Sequence, residues 1–138
     1  MLSKMRNILH RLNMLCYDEP MDKLQALHSF WSSFGWTAYN SASVPDNPKL
    51  PYITHELPVG NFGTTIAQTA TLWVRSSAWT DLIDKLEEIM EEITRGGTHY
   101  HYDFGSIFIR LNSGNEISDP NDDTVRGYVL NYELEFLD

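Results

Sequence analysis

Hydrophobic positions recur with a helical period in two stretches of the chain and with a period of two in several others. Between 22 and 34, Leu24, Leu27, Phe30, Trp31 and Phe34 fall three or four residues apart, the spacing of an amphipathic helix with one aromatic-rich stripe. Gly35 provides its stop. From 78 to 94, Trp79, Leu82, Ile83, Leu86, Ile89, Met90 and Ile93 form a second, stronger stripe, with Ser76-Ser77 ahead of it as an N-cap and Arg95-Gly96-Gly97 behind it as an ending.

Strict alternation marks the strands. In the last stretch, Tyr128, Leu130, Tyr132, Leu134 and Phe136 share one face, while Gly127, Val129, Asn131, Glu133 and Glu135 share the other, as in a half-buried strand. A long strand is expected over 64–75, with Ile66, Gln68, Ala70, Leu72 and Val74 on one side and Thr65, Ala67, Thr69, Thr71, Trp73 and Arg75 on the other. Shorter strands are expected at 36–40, 52–57, 99–103 and 106–111, the last two joined at Phe104-Gly105 as a hairpin. The prolines of 41–51, the turn Gly60-Asn61-Phe62-Gly63 and the polar stretch 112–123 read as loops. Short connections favour antiparallel pairing, so the expected fold is α+β: an antiparallel or mixed β-sheet with helices on one face, plus an N-terminal helical arm.

That arm is set apart from a single domain over 21–138. Over residues 1–20, Leu2, Met5, Ile8, Leu9, Leu12 and Leu15 recur at helical spacing beside Lys4, Arg6, His10 and Arg11. It can serve as a partner-binding or membrane-surface arm, as a helix packed on its own domain, or as an extension upstream of Met21. Charge interrupts each apolar run before it is long enough for a secretory core or a membrane span, so neither secretion nor a segment through the membrane is expected, and no membrane partner is assigned.

The chain has 138 residues, of which 42% are hydrophobic and 12% aromatic, enough for one core and too few for two ordinary domains. Its net charge of −9 is the wrong sign for nonspecific attraction to phosphates. The single cysteine, Cys16, excludes an internal disulfide and a Cys-pair metal site, which fits a reducing cytoplasm.

Candidate chemistry is sparse. His99, His101 and Asp103 alternate, so one strand face presents two imidazoles and a carboxylate, a weak candidate for a divalent metal. The same alternation describes an exposed strand face whose Tyr100 and Tyr102 turn inward. Asp81, Asp84, Glu87, Glu88, Glu91 and Glu92 read as a solvated helix face, with Lys85 between Asp81 and Glu88, rather than as paired catalytic acids. Asp119, Asp122 and Asp123 lack the spacing of a calcium loop and read as a turn bonded to its own backbone. No nucleophile elbow, phosphate loop or dinucleotide motif is present, so neither catalytic residues nor a cofactor are assigned. Trp31, Trp36, Trp73 and Trp79 exceed what so small a core requires, which makes Trp73 and Trp79 candidates for subunit contacts.

Taken from Met21 onward, the chain resembles the tail terminator and tail-completion proteins of siphophages. The likeness is carried by Pro51-Tyr52-Ile53-Thr54-His55-Glu56-Leu57-Pro58, by Thr71-Leu72-Trp73-Val74-Arg75-Ser76-Ser77-Ala78-Trp79, by Ser118-Asp119-Pro120 with Asp122, Asp123 and Arg126, and by Tyr132-Glu133-Leu134-Glu135-Phe136-Leu137. The basic arm before Met21 departs from that pattern. The resemblance implies a structural, non-enzymatic subunit of the virion, assembled in the bacterial cytoplasm, that forms a homo-oligomeric ring, commonly a hexamer. Such a ring caps the tail tube protein at the head-proximal end and offers a surface to head–tail connector proteins. Head–tail connector, minor capsid protein and a small metal-binding enzyme using His99, His101 and Asp103 are the alternatives.

A ring needs two different, complementary side surfaces. Residues 41–51 and 112–123 are the expected contact arms, with Asp119, Asp122, Asp123 and Arg126 as interface candidates and Arg126 pairing a carboxylate of its own turn or of a neighbour. Six copies at −9 each carry a formal −54, so an acidic lumen would let DNA pass without specific binding.

Overall fold

The computed structural model describes residues 22–58 and 65–137. The N-terminal arm expected over 1–20 and the turn at Gly60-Asn61-Phe62-Gly63 lie outside the described residues. Helix α1 (Lys23–Ser32) is followed by strands β1 (Thr37–Asn40), β2 (Tyr52–His55) and β3 (Ile66–Arg75), helix α2 (Trp79–Glu92), and strands β4 (Thr98–Tyr102), β5 (Gly105–Asp119) and β6 (Asp122–Leu137). The strands form one six-stranded sheet in the order β1-β2-β3-β6-β5-β4. All neighbours are antiparallel except β1 and β2, which run parallel with Thr37 opposite Tyr52. The expected α+β class with a mixed sheet is what the chain adopts.

Local chemistry starts and stops the helices. Asp22 caps α1 through a capping box: its carboxylate accepts from the Gln25 amide at 2.9 Å, while the Gln25 side chain accepts from the Asp22 amide at 3.1 Å. Gly35 turns the chain out of the helix at a positive φ of 91°. The Ser76-Ser77 cap expected for α2 is not formed. Ser76–Ala78 instead makes a 3-10 turn, Ala78 precedes the helix without a side-chain cap, and the Ser76 hydroxyl points to the Asp123 carbonyl at 3.5 Å. The β3 geometry leads straight into the turn, which leaves no extended serine in capping position.

Both helices cover the same sheet face. Leu27, Phe30 and Trp31 of α1 and Leu82, Leu86 and Ile89 of α2 share one buried cluster with Ile53, Leu72, Val74, Ile107, Ile109, Tyr132 and Leu134. Every large apolar residue predicted inward on β3 and on the C-terminal half of β6 is there. Trp31 is the keystone of this layer: its ring meets that of Tyr132 at 5.3 Å, and its Nε1 donates to the Tyr132 hydroxyl at 3.3 Å. That hydroxyl gives the buried indole its polar partner.

The α2 stripe is narrower than the sequence pattern suggests, because Ile83 and Met90 are 41% and 50% exposed. The six carboxylates of α2 are exposed as expected. Lys85 is not part of that solvated face. Its ammonium donates to the Phe34 carbonyl, bonds Glu88 at 2.9 Å and lies 5.5 Å from the centre of the Trp36 ring. It staples α2 to the end of α1.

Candidate functional site

Beyond the covered core, the sheet continues into an arm. Strand β4 pairs with β5 only from Gly105 to Ile109, yet β5 runs on to Asp119 and β6 begins at Asp122. The stretch 112–123 is therefore not a loop but the outer half of a hairpin closed by Pro120-Asn121. Its β5 side, 112–119, is polar and mostly exposed, and this is why apolar alternation does not reveal it.

A bulge at Asn112 controls which side chains the arm displays. Leu111 pairs with Tyr132, but Ser113 pairs with Asn131, so one residue is skipped and the alternation of β5 changes face. Ile117 then joins the sheet face away from the helices, where it lies opposite Gly127. Trp73 lies opposite the same glycine from β3. A Cβ at Gly127 would come within 3.0 Å of the Trp73 ring and 3.1 Å of Ile117, so these two side chains close over the bare backbone. From Trp73 an aromatic row continues across the sheet, to Tyr52 at 6.4 Å and then from Tyr52 to Tyr39 at 5.6 Å. The Trp73 indole donates to the Thr54 hydroxyl at 3.1 Å. Burial raises the pKa of the Tyr52 hydroxyl, with smaller contributions from the Asp119 carboxylate and Tyr39. Tyr39, Tyr52, Trp73 and Ile117 all remain half-exposed.

The acidic tip bonds its own backbone, as the sequence suggests. Asp119 accepts from the Asn121 amide and Asp122 from the Thr124 amide, each at 2.9 Å. The Thr124 hydroxyl and amide together hold the exposed Asp122 carboxyl below its ordinary pKa, with Arg75 adding to the effect. Arg75 also donates to the Thr124 hydroxyl at 3.0 Å, which ties the tip to the end of β3. Asp123 points its carboxylate to solvent. Arg126 pairs not with this turn but with Glu116 across the hairpin at 3.3 Å, and its guanidinium lies 5.2 Å from the centre of the Trp79 ring.

The four tryptophans therefore divide. Trp31 is core, Trp36 and Trp79 pack against that core, and Trp73 stands on the opposite sheet face. Most of the aromatic surplus that pointed to subunit contacts is absorbed by the helix-covered layer.

His99 and His101 are exposed with their rings nearly parallel, 6.2 Å apart, and Phe108 lies 4.9 Å from His99. Tyr100 and Tyr102 turn the other way; the Tyr100 hydroxyl meets Ser29 Oγ at 2.7 Å. Asp103 sits in the turn that follows β4. Among the described residues, no group of three His, Cys, Asp or Glu is arranged to hold a metal ion.

A second histidine pair, His28 and His55, joins α1 to β2 without any motif in the sequence to mark it. His55 follows Ile53 on the inward face of β2 and is buried, and its Nε2 lies 2.9 Å from His28 Nδ1 on α1. Its Nδ1 has no hydrogen-bond partner among the described atoms. Desolvation, helped by His28, lowers the His55 pKa to about 4. The available signal was the alternation of 52–57, which turns His55 inward with Ile53.

No family model matches the chain, and no curated protein does. Among solved structures it is similar in fold to a chain of a "Virion of native gene transfer agent (GTA) particle", with a TM-score of 0.55 and 10% sequence identity, over 83% of this chain and 90% of that one.

Proposed function

We propose that this protein is a structural subunit of a phage-like virion, and within that class a ring-forming tail terminator. The observation that carries the reading is the fold shared with a virion chain of matching extent, since nearly the whole of both chains takes part. The likeness is one of architecture rather than of a single motif. The sequence resemblance carried by 51–58, 71–79, 118–126 and 132–137 supports the terminator role within that class.

The uncovered sheet face supplies the kind of surface an assembling subunit uses. Aromatic side chains contribute most to interface contacts when they are rigid and partly desolvated beforehand. Tyr39, Tyr52 and Trp73 meet that description, and the arm extends the same face outward to Ile117, with the carboxylates of Asp119, Asp122 and Asp123 around its tip. A neighbouring copy that receives this face with a different patch of its own makes a head-to-tail contact, the type that closes into rings. Six copies around a tail tube, with connector proteins above and DNA passing through an acidic lumen, is the assembly proposed.

Mass photometry of the chain, alone and with preformed tail tubes, tests this. A closed ring of about six copies is expected, or a ring that forms only on tube ends. A monomer at every concentration that also ignores the tubes overturns the reading.

A further inference from the structure

The first turn of α1 and the β4–β5 turn enclose an open groove of about 480 Å³, bounded by Asp22, Lys23, Leu24, Tyr102 and Phe104, with an almost wholly apolar lining surface. Phe104, at 59%, has the greatest exposure of the large hydrophobic side chains described. Nothing in the hairpin calls for it. Two-residue turns select Gly, Asn and Asp for backbone reasons, and a phenyl ring left in water at such a turn loses the stabilisation that covering it brings.

The chain supplies a candidate occupant next to the groove in sequence. The residues before Asp22 lead directly into the groove's own wall. Within them Leu9, Leu12 and Leu15 recur three apart in the sequence, the spacing of an amphipathic stripe, and the six residues 16–21 span at most about 20 Å when extended. Charge favours the same contact. Lys4, Arg6 and Arg11, with no carboxylate among residues 1–15, give that segment +3, which leaves −12 on the remainder of a chain whose net is −9. A tether this short also holds the segment at an effective concentration in the millimolar range, so a modest intrinsic affinity suffices.

We propose that residues 1–15 dock in cis, laying Leu9, Leu12 and Leu15 into this groove against Phe104 and Leu24. The basic arm is then a cover for an apolar surface of its own domain. This inference does not depend on the virion reading.

Hydrogen–deuterium exchange on the full chain provides a reciprocal test. The variant Phe104→Asp is expected to speed amide exchange within 5–15 by about tenfold, and the double variant Leu9→Glu/Leu12→Glu to speed exchange at the β4–β5 turn and the start of α1 by a similar factor. Amides of β3 and β6 report whether the fold is kept; if Phe104→Asp disturbs them, Leu24→Ser replaces it. Exchange changes confined to the segment that carries the substitution overturn the proposal. So does protection of 5–15 that rises with protein concentration, which would assign the groove to a second copy.

Discussion

His28 Nδ1 lies 2.9 Å from His55 Nε2, and the two rings live in different media: His28 is exposed, His55 is buried. One nitrogen must donate and the other accept, so the contact is compatible with two neutral imidazoles and not with two cations. The unfolded chain protonates this ring near pH 6.5, whereas in the folded chain its pKa falls to about 4, chiefly through desolvation and then through His28, with the Glu56 backbone opposing weakly. Because the unfolded state binds the proton first, the stabilisation is complete above pH 6.5 and is lost as pH falls toward 4. Between pH 7.5 and 4.5 the loss from this one group should be roughly 2–3 kcal/mol. Urea unfolding at both pH values should show that difference in the native chain and a much flatter response in His55→Leu. Equal slopes would remove His55 as the cause.

Gly97 is the position where a methyl group should do most harm. Its φ is +107°, and a Cβ would come within 2.4 Å of the Phe108 ring and 3.0 Å of the Ile109 carbonyl oxygen, which is backbone and cannot step aside. Gly96 has a similar φ of +94° but open space around it. Gly96→Ala should cost about 1 kcal/mol from the backbone alone, and Gly97→Ala about 2–3 kcal/mol because the clash is added. Paired chemical denaturation curves separate the two; equal losses would mean that Phe108 yields without cost.

The contrast between these regions and the arm explains what the sequence could reveal. Alternation in 66–74 and 130–136 was legible because a helix layer covers one face and water the other, so burial writes itself into residue type. On the outer part of β5, water reaches the positions that a helix layer would cover. Gly114, Glu116 and Ser118 occupy positions that further down the sheet belong to the core, and the bulge at Asn112 inverts the phase. A polar strand that changes phase has the composition of a loop. Ile83 and Met90 mislead in the opposite direction: they flank the arc Leu82, Leu86, Ile89 and Ile93 and satisfy the period without reaching the core. The candidate site was legible at Trp73, Asp119 and Asp122, whereas Tyr39, Tyr52 and Ile117 depended on a parallel pairing and a bulge that local pattern does not encode.

Lys85 offers a test of how α2 is held. Its side chain is only 15% exposed, and its cation touches the Phe34 carbonyl, Glu88 and the Trp36 ring. Lys85→Met keeps the apolar stem and removes the charge. The Phe34 carbonyl then loses its donor, and a destabilisation of about 1–2 kcal/mol is expected. Trp36 emission should shift as its cation leaves, while Lys85→Arg should recover part of the stability. No change in either quantity would place Lys85 among ordinary surface lysines.

Arg126 and Asp123 lie three residues apart on β6 and should behave in opposite ways. Arg126 stabilises the arm within one subunit, through Glu116 at 3.3 Å and the Trp79 ring at 5.2 Å. Its replacement by Ala should lower stability by about 1 kcal/mol and leave Trp79 more exposed to quencher. Asp123 contributes its backbone carbonyl to Ser76 and turns its carboxylate to solvent. Asp123→Asn should therefore leave stability within about 0.5 kcal/mol of the native chain. If the arm is a contact between copies, that same silent substitution should weaken self-association in sedimentation while the melting curve stays in place. An Asp123→Asn chain that assembles as the native one does would move the contact away from the tip, toward the Tyr39–Tyr52–Trp73 row.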